Sequence, residues 1–545
     1  MWLMITDMKG TPMAELSTVY FNGKRYETEI IEGDTIADTA HRIGAYIDQP
    51  CSGLGSCGKC RVQVNGALSE PSRNELEHIS SEDLKRGIRL ACQTNISPGM
   101  EITTIGNEPN TAQILTDNNM TASVPSRADD GEPLCAAIDI GTTTLVVYIL
   151  RASDERALAA VSALNPQTAF GADVISRISH ADNDKDGLKT MQNVLVKQLN
   201  SMLNEALQNV GADISQIAGV TVAGNTTMEH IFAGVSPSTI GKAPFMPQYR
   251  EFPLLNASNC GLNCNAPLHM LPCVSGFVGG DIVAGILATG MLDSKNVSLL
   301  VDIGTNNEMV LGSRDFLLCC SAAAGPAFEG AKISCGMRAA SGAIDKVRLN
   351  NSGDIEISTI GGTEPRGICG SGLIDAVALL VKANVIQRSG RFAKGTSLPG
   401  KLANRLNKSE DGTTFTLYAN DRAKIISLSQ RDIREVQLAK SAIATGIEIM
   451  LEEAGLTLED VSAIHVAGAF GNYLDIDSAV SLGIIPNVPI SKITTAGNSA
   501  GAGARLAAAD HTKWDDALQI LDMARHIELA SHKDFQERFV QNLSL

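Results

Sequence analysis

Aromatic side chains are scarce in this chain, at 4% of 545 residues, while glycine is abundant at 50. That balance suits α/β packing with many close turns. No block of lysine or arginine occurs, and the formal net charge is −16, which argues against nucleic acid as a partner. The start, Met1 to Gly10, carries no basic segment ahead of an apolar core, so no signal peptide is expected. The most apolar longer run, Phe277 to Leu292, is broken by Asp281 and several glycines, and is too short and polar to span a bilayer. A Ser/His/Asp or Cys/His nucleophile arrangement is also missing. The expectation is a cytoplasmic protein with no membrane partner. In that compartment the twelve cysteines point to metal or redox use for some of them rather than to disulfides. The length suggests roughly three or four domains.

Two stretches organise the rest. Ala137-Ile138-Asp139-Ile140-Gly141-Thr142-Thr143-Thr144 is an apolar strand ending in an acid, a glycine and three hydroxyls. Gly141 lets backbone N–H groups approach an anion, the hydroxyls add donors, and Asp139 can hold a hydrated Mg²⁺. Leu300-Val301-Asp302-Ile303-Gly304-Thr305-Asn306-Asn307 repeats the pattern. Each copy is followed by a long amphipathic helix, at about 188–210 and 432–454. The first buries a stripe of Met191, Leu195, Leu199, Met202 and Ala206, the second one of Val436, Ile443, Ile447 and Leu451. Each helix leads into a strand ending in Ala-Gly. Gly211 aligns with Gly455, Val222 with Val466 and Gly224 with Gly468, without a gap. A duplication of this kind implies two related lobes facing across a cleft, each aiming a phosphate turn at one nucleotide. Gly468, Ala469 and Gly471 would form the tight turn past which adenosine runs. The alternative is a duplicated fold whose turns serve packing alone.

This part, about residues 135–510, resembles the superfamily of ATPases that holds actin, the sugar kinases and the heat-shock chaperones. The resemblance implies phosphate motifs at Asp139–Thr144 and Asp302–Asn306 and an adenosine motif at Val466–Gly471. Asp139 and Asp302 become the catalytic, Mg²⁺-holding acids. Gly141, Thr142, Thr143, Thr144, Gly304, Thr305, Asn306, Gly468, Ala469 and Gly471 become the ATP-binding residues.

Ahead of this core, residues 19–29 alternate around Asn22-Gly23 as a hairpin. Residues 34–47 read as a helix capped by Asp34 or Thr35, with Ile36, Ala40, Ile43 and Ile47 on one face. Cys51, Cys57 and Cys60 follow in a glycine-rich loop, with Cys92 further on. Three thiolates on such a loop plus a distant fourth can surround a two-iron cluster, or hold zinc. Residues 17–105 resemble the [2Fe–2S] ferredoxins of plant and adrenodoxin type, which implies a β-grasp-like unit with Cys51, Cys57, Cys60 and Cys92 as metal ligands. The gap of five after Cys51 matches the adrenodoxin-like spacing.

The fold expected is therefore multidomain α/β: a ferredoxin-like domain at 1–105, a linker at 106–133 rich in Asn, Thr, Ser, Asp and Pro, and duplicated actin-like (ribonuclease H-like) ATPase lobes at 134–240 and 241–545. Further glycine turns at 275–281, 324–330, 367–375 and 496–501 are second-rank ligand sites or packing turns. Ile114-Leu115 is a candidate docking patch in the linker. Cys260, Cys264 and Cys273, with His269 nearby, read as buried thiols rather than a second metal site. Lys440 reads as a solvated helix lysine.

The domain order resembles the reductive activators of corrinoid proteins. That resemblance implies return of a Co(II) corrinoid to Co(I) by one-electron transfer from a [2Fe–2S] cluster, driven by ATP and Mg²⁺. Its partners would be a corrinoid protein of a methyltransferase system and an electron donor protein, with a homodimer as the assembly to test. Two other readings stand beside it: a redox-sensing nucleotide-binding regulator, and an ATP-driven activator of another low-potential enzyme.

Overall fold

The computed structural model describes residues 16–31, 33–43, 45, 47, 49, 53, 55, 57–105, 128–129, 131–152, 154, 156–322, 325, 327–330, 332–393, 400–409, 412–420, 424–468 and 474–545. It divides into two compact units, Met1–Asn110 with Gln167–Ala172, and Thr111–Pro166 with Asp173–Leu545. The linker segment 106–127, with Ile114 and Leu115, lies outside the described residues, as do Cys51, Ala469 and Gly471.

In the first unit, β1 (Leu16–Phe21) and β2 (Lys24–Glu29) form the expected hairpin, Phe21 opposite Lys24. Asn22 and Gly23 both take positive φ, 48° and 76°, which is why Asn-Gly stands there. The helix Ile36–Arg42 follows, and the Thr35 hydroxyl accepts from the Asp38 N–H at its start. It ends five residues short of the expected Ile47. The Ala45 N–H turns back to the Ala40 carbonyl and closes the last turn, as at a helix C-terminus. Ile47 is still buried, so an apolar stripe at helical spacing continued into irregular chain. β3 (Arg61–Asn65), β4 (Ile88–Leu90) and β5 (Glu101–Thr104) complete a five-stranded sheet ordered β2-β1-β5-β3-β4.

The second unit is built on two six-stranded sheets that share the order of five strands and carry the sixth on opposite edges. The first holds β6 (Leu134–Ile140), β7 (Thr144–Arg151), β8 (Ala157–Leu164), β9 (Ile217–Gly224), β10 (Leu255–Asn256) and β11 (Pro267–Met270). β10 and β11 lie past residue 240, where the sequence reading ends the first lobe. β11 nevertheless pairs parallel with β9, so the sheet regains its edge after an irregular stretch that looks like a boundary. The second sheet begins with β12 (Ser298–Ile303), β13 (Asn307–Ser313) and β14 (Phe316–Ala322). Two small sheets intervene, one of β15 (Ala343–Leu349), β16 (Ile355–Thr359) and β17 (Gly367–Ile368), the other of β18 (Leu406–Ser409), β19 (Gly412–Ala419) and β20 (Ile425–Ser429). β21 (Ala463–Ala467), β22 (Ile493–Gly497) and β23 (Ala524–His526) then join the second sheet.

The duplication holds residue by residue. The helices Gly187–Val210 and Gln430–Ala454 both end on a left-handed glycine, Gly211 at φ 71° and Gly455 at φ 67°. Both expected stripes are buried, Met191 to Ala206 and Val436 to Leu451, each leucine, isoleucine or methionine contributing about 1.5–3 kcal/mol. Asp139 stands opposite Ala223 in the parallel β6–β9 pair, and Asp302 opposite Ala467 in the parallel β12–β21 pair. Ala223 and Ala467 precede the aligned Gly224 and Gly468. The two acids therefore occupy one position of one repeated design.

Lys440 is not solvated. It is 7% exposed, and its Nζ donates to the carbonyls of Asn542 at 2.8 Å and Ser544 at 2.9 Å. The helix face carrying it is covered by the C-terminal residues, which sequence periodicity does not show. Among the described residues no helix is long and apolar enough to cross a membrane.

Candidate nucleotide cleft and cluster loop

Both phosphate turns open into one cleft, lined by Asp139, Gly141–Thr144, Asp302, Gly304–Asn306 and Gly468. The first turn is a β6–β7 hairpin closed by Gly141 N–H to the Thr144 carbonyl at 2.9 Å, the second a β12–β13 hairpin closed by Gly304 N–H to the Asn306 carbonyl at 3.0 Å. Gly468 sits at φ 103°, and a Cβ there would come within 2.3 Å of the Ile303 carbonyl oxygen. Only glycine fits between β21 and the second turn.

The cleft also gathers residues the motifs did not single out. Asn498 Nδ2 donates to Asp139 Oδ2 at 2.8 Å and to the Tyr148 hydroxyl at 3.3 Å. Asn225 Nδ2 donates to Thr142 Oγ1 at 2.9 Å. Asn165 Nδ2 donates to the Gly141 carbonyl at 2.9 Å, and the buried Arg177 donates to the Thr142 carbonyl. The second-rank turns divide accordingly. Residues 275–281 deliver Asp281, 324–330 deliver Glu329, and 496–501 deliver Asn498 and Ala500. The 367–375 turn lines no part of this cleft. A Cβ on Gly372 would lie 2.2 Å from the Ile344 carbonyl oxygen, so that glycine serves close packing on β15.

Electrostatically the cleft is one-sided. Asp139, Asp281, Asp302, Glu308 and Glu329 line it, with no lysine or arginine among the described lining residues. Asp302 meets the cleft surface yet is packed round by protein. Burial, then Asp281 and Asp139, push its carboxyl up to about 7. Burial, then Asp281 and Asp302, raise Glu308 well above the carboxylate range. Carboxylates held against their preference are a donor set for a hard divalent cation. Mg²⁺ therefore fits here, and the polyphosphate of a nucleotide needs such a counter-charge to enter.

In the first unit, strand pairing sets the cysteines. Arg61 pairs with Leu90 across β3 and β4, and the Ala91 N–H donates to the Cys60 carbonyl at 2.8 Å. This brings Cys60 Sγ within 3.3 Å of Cys92 Sγ, a pair suited to one iron, since each iron of a two-iron cluster takes two thiolates. Cys57 is half-buried in the loop that leads into Cys60. Among the described residues no three potential ligands converge into a metal-holding group. The paired thiols and the cysteine-bearing loop fit the cluster.

Behind Cys92 lies a buried ion pair absent from the sequence reading. Glu75 Oε1 accepts from Arg89 Nε at 2.8 Å, from the Leu90 N–H at 3.0 Å and from Thr94 Oγ1 at 3.0 Å. Its Oε2 accepts from Arg89 at 2.8 Å and from the Ser72 N–H at 2.9 Å. Burial works to raise this carboxyl, but the hydrogen bonds from Arg89, Ser72 and Leu90 outweigh it and bring it to about 2. One carboxylate thus pins both flanks of the Cys92 turn. Its signal in the sequence is Ser72-Arg-Asn-Glu75, a capping box on the helix Arg73–His78. Cys260, Cys264 and Cys273 are buried, and burial raises all three thiols, Cys273 to about 12.

Comparison with known proteins follows the same division. Residues 19–97 match the 2Fe-2S iron-sulfur cluster binding domain, 134–294 the RACo middle region, and 296–545 the C-terminal domain of RACo, the ASKHA domain. The corrinoid activation enzyme RamQ of Eubacterium limosum is 31% identical over 577 residues, covering 95% of this chain and 97% of that protein. The [Co(II) methylated amine-specific corrinoid protein] reductase of Methanosarcina barkeri is 24% identical over 442 residues, covering 75% and 76%. A solved structure described as a reductive activator for corrinoid, iron-sulfur protein superposes with a TM-score of 0.69 at 30% identity, covering 97% of this chain and 98% of that one.

Proposed function

Since the chain belongs to the RACo family, we propose that it is an ATP-dependent reductive activator that returns the Co(II) corrinoid of a partner protein to Co(I). The observation that carries this is the pairing, in one chain, of a thiol pair at 3.3 Å with a cleft into which Asp139 and Asp302 open from equivalent strand positions. Either feature alone suits many activities; together they suit electron transfer timed by nucleotide.

A two-iron cluster held by Cys51, Cys57, Cys60 and Cys92 supplies one-electron transfer, at roughly −400 mV for plant-type clusters. Every ~59 mV by which the acceptor lies lower costs tenfold in a one-electron equilibrium. The chain's own residues meet that demand at the cleft. The Thr142, Thr143, Thr144 and Thr305 hydroxyls and the turn N–H groups bind the phosphates. Asp139 and Asp302 hold Mg²⁺, with Asn498 orienting Asp139. Gly468 leaves room for backbone beside the nucleotide, with Ala469 and Gly471 assigned to the same turn. Closure of the two lobes on ATP would bias the partner's corrinoid toward reduction. The electron reaches the cluster from a donor protein, and the partner is the corrinoid protein of a methyltransferase system. A reducing cytoplasm suits the chain, because buried thiols such as Cys319 and Cys320 persist unpaired there.

The test is appearance of the Co(I) absorption band when full-length protein, a reductant and a Co(II) corrinoid protein are mixed with and without ATP. Co(I) formation that ignores ATP, or that survives Asp139→Ala with Asp302→Ala, refutes the proposal.

A further inference from the structure

We propose that Glu329 occupies the place of the terminal phosphoryl group, latching the two phosphate turns together until ATP displaces it. This rests on the nucleotide-binding reading of the cleft. Thr143 and Thr305 belong to different turns, one from each sheet, and their hydroxyl oxygens lie 3.4 Å apart. Glu329 bridges them. Its Oε2 accepts from Thr143 Oγ1 at 3.0 Å, and its Oε1 accepts from Thr305 Oγ1.

A threonine hydroxyl has a single O–H to donate. While Thr143 and Thr305 donate to Glu329, neither donates to a phosphate. Carboxylate and phosphoryl are both anionic oxygen acceptors of similar reach, so they compete for the same two donors and repel each other. Arg177, fully buried and donating to the Thr142 carbonyl, backs the first turn, with Asp173 its first charge partner and Glu329 its second. Because Glu329 spans both turns, the group it mimics must also touch both. The terminal phosphoryl of ATP meets that condition better than any group of ADP. The latch therefore gives the cleft a way to tell the two nucleotides apart: ATP must open it, and ADP leaves it closed.

Binding of ADP and of a non-hydrolysable ATP analogue to the full chain, measured by titration calorimetry with Mg²⁺, tests this. Glu329→Ala removes the competitor and is expected to tighten the analogue about tenfold, the equivalent of 1.4 kcal/mol, while ADP affinity changes far less. Glu329→Gln keeps the side chain's shape, so it guards against a folding loss, and it should tighten the analogue in the same direction. Analogue binding unchanged or weakened in both variants, or ADP tightened as much as the analogue, overturns the latch. Wild-type protein that binds neither nucleotide overturns the latch and the nucleotide reading together, whereas wild-type binding without tightening in the variants sinks the latch alone.

Discussion

Replacing Glu75 by alanine tests whether a buried carboxylate, rather than the cysteines themselves, holds the Cys92 turn in place. Glu75 is fully buried, and Arg89 is 2% exposed. Removing the acid leaves a guanidinium with no counter-charge in the core of the first unit, together with an unmet Leu90 N–H. Breaking a buried pair from one side costs about 3–5 kcal/mol. A whole domain is stable by only about 5–15 kcal/mol, so most of the reserve would go. With a urea dependence of about 1–3 kcal/mol per molar, the unfolding midpoint of the cluster-bearing unit should fall by about 1–5 M. Visible absorption of the bound cluster reports this unit while the rest of the chain stays folded. The pH dependence supplies an independent check. The Glu75 carboxyl moves from an ordinary 4.5 to about 2 on folding. A depressed carboxyl stabilises fully above its unfolded value and loses that contribution as pH falls through the folded one. Wild-type protein should therefore weaken between about pH 4.5 and 2 by an amount that Glu75→Ala, lacking the group, does not show. A midpoint unchanged in the variant, or an acid profile parallel to wild type, refutes the reasoning.

Chelating divalent cations should abolish nucleotide binding in calorimetry, because no lysine or arginine among the described residues lines the cleft to offset the phosphates. Asn498→Ala frees Asp139 from its 2.8 Å hydrogen bond and should weaken Mg²⁺–nucleotide binding about tenfold, with about 0.5–2 kcal/mol of stability lost because Asn498 also caps the helix Ser499–Ala509. Gly468→Ala places a Cβ 2.3 Å from the Ile303 carbonyl oxygen and should eliminate measurable nucleotide binding while leaving the cluster spectrum intact. Lys440→Met removes two hydrogen bonds to the C-terminal residues and should destabilise the second unit by about 1–3 kcal/mol without altering nucleotide affinity, as read by thermal unfolding with and without ligand.

Local chemistry explains which expectations survived. The Asn-Gly hairpin, the two long helices and the Asp-x-Gly-Thr turns are written in adjacent residues, and repetition doubles their signal. The helix expected to reach Ile47 ended at Arg42 because burial of Ile47 needs only an apolar residue, not a helical one. The cover over Lys440 leaves no mark on its own helix, because Asn542 and Ser544 lie about a hundred positions away. Glycine marks the turns that carry Glu329 and Asn498 as ligand-site candidates but not which side chain acts there, since an acid or amide in a glycine-rich turn is common whatever the turn does, and Asn225 gives no signal of its own.

Residue order alone thus determined the division into a cysteine-loop unit and a repeated core, and the positions of the acids at the strand ends, because period and spacing are properties of neighbours along the chain. Only the tertiary structure decided that the repeated turns share one cleft, that acids dominate its described lining while Arg177 lies buried behind the first turn, and that Glu329 joins Thr143 to Thr305. Those outcomes depend on which distant segments meet, and electrostatics and hydrogen bonding act through space without regard to sequence separation.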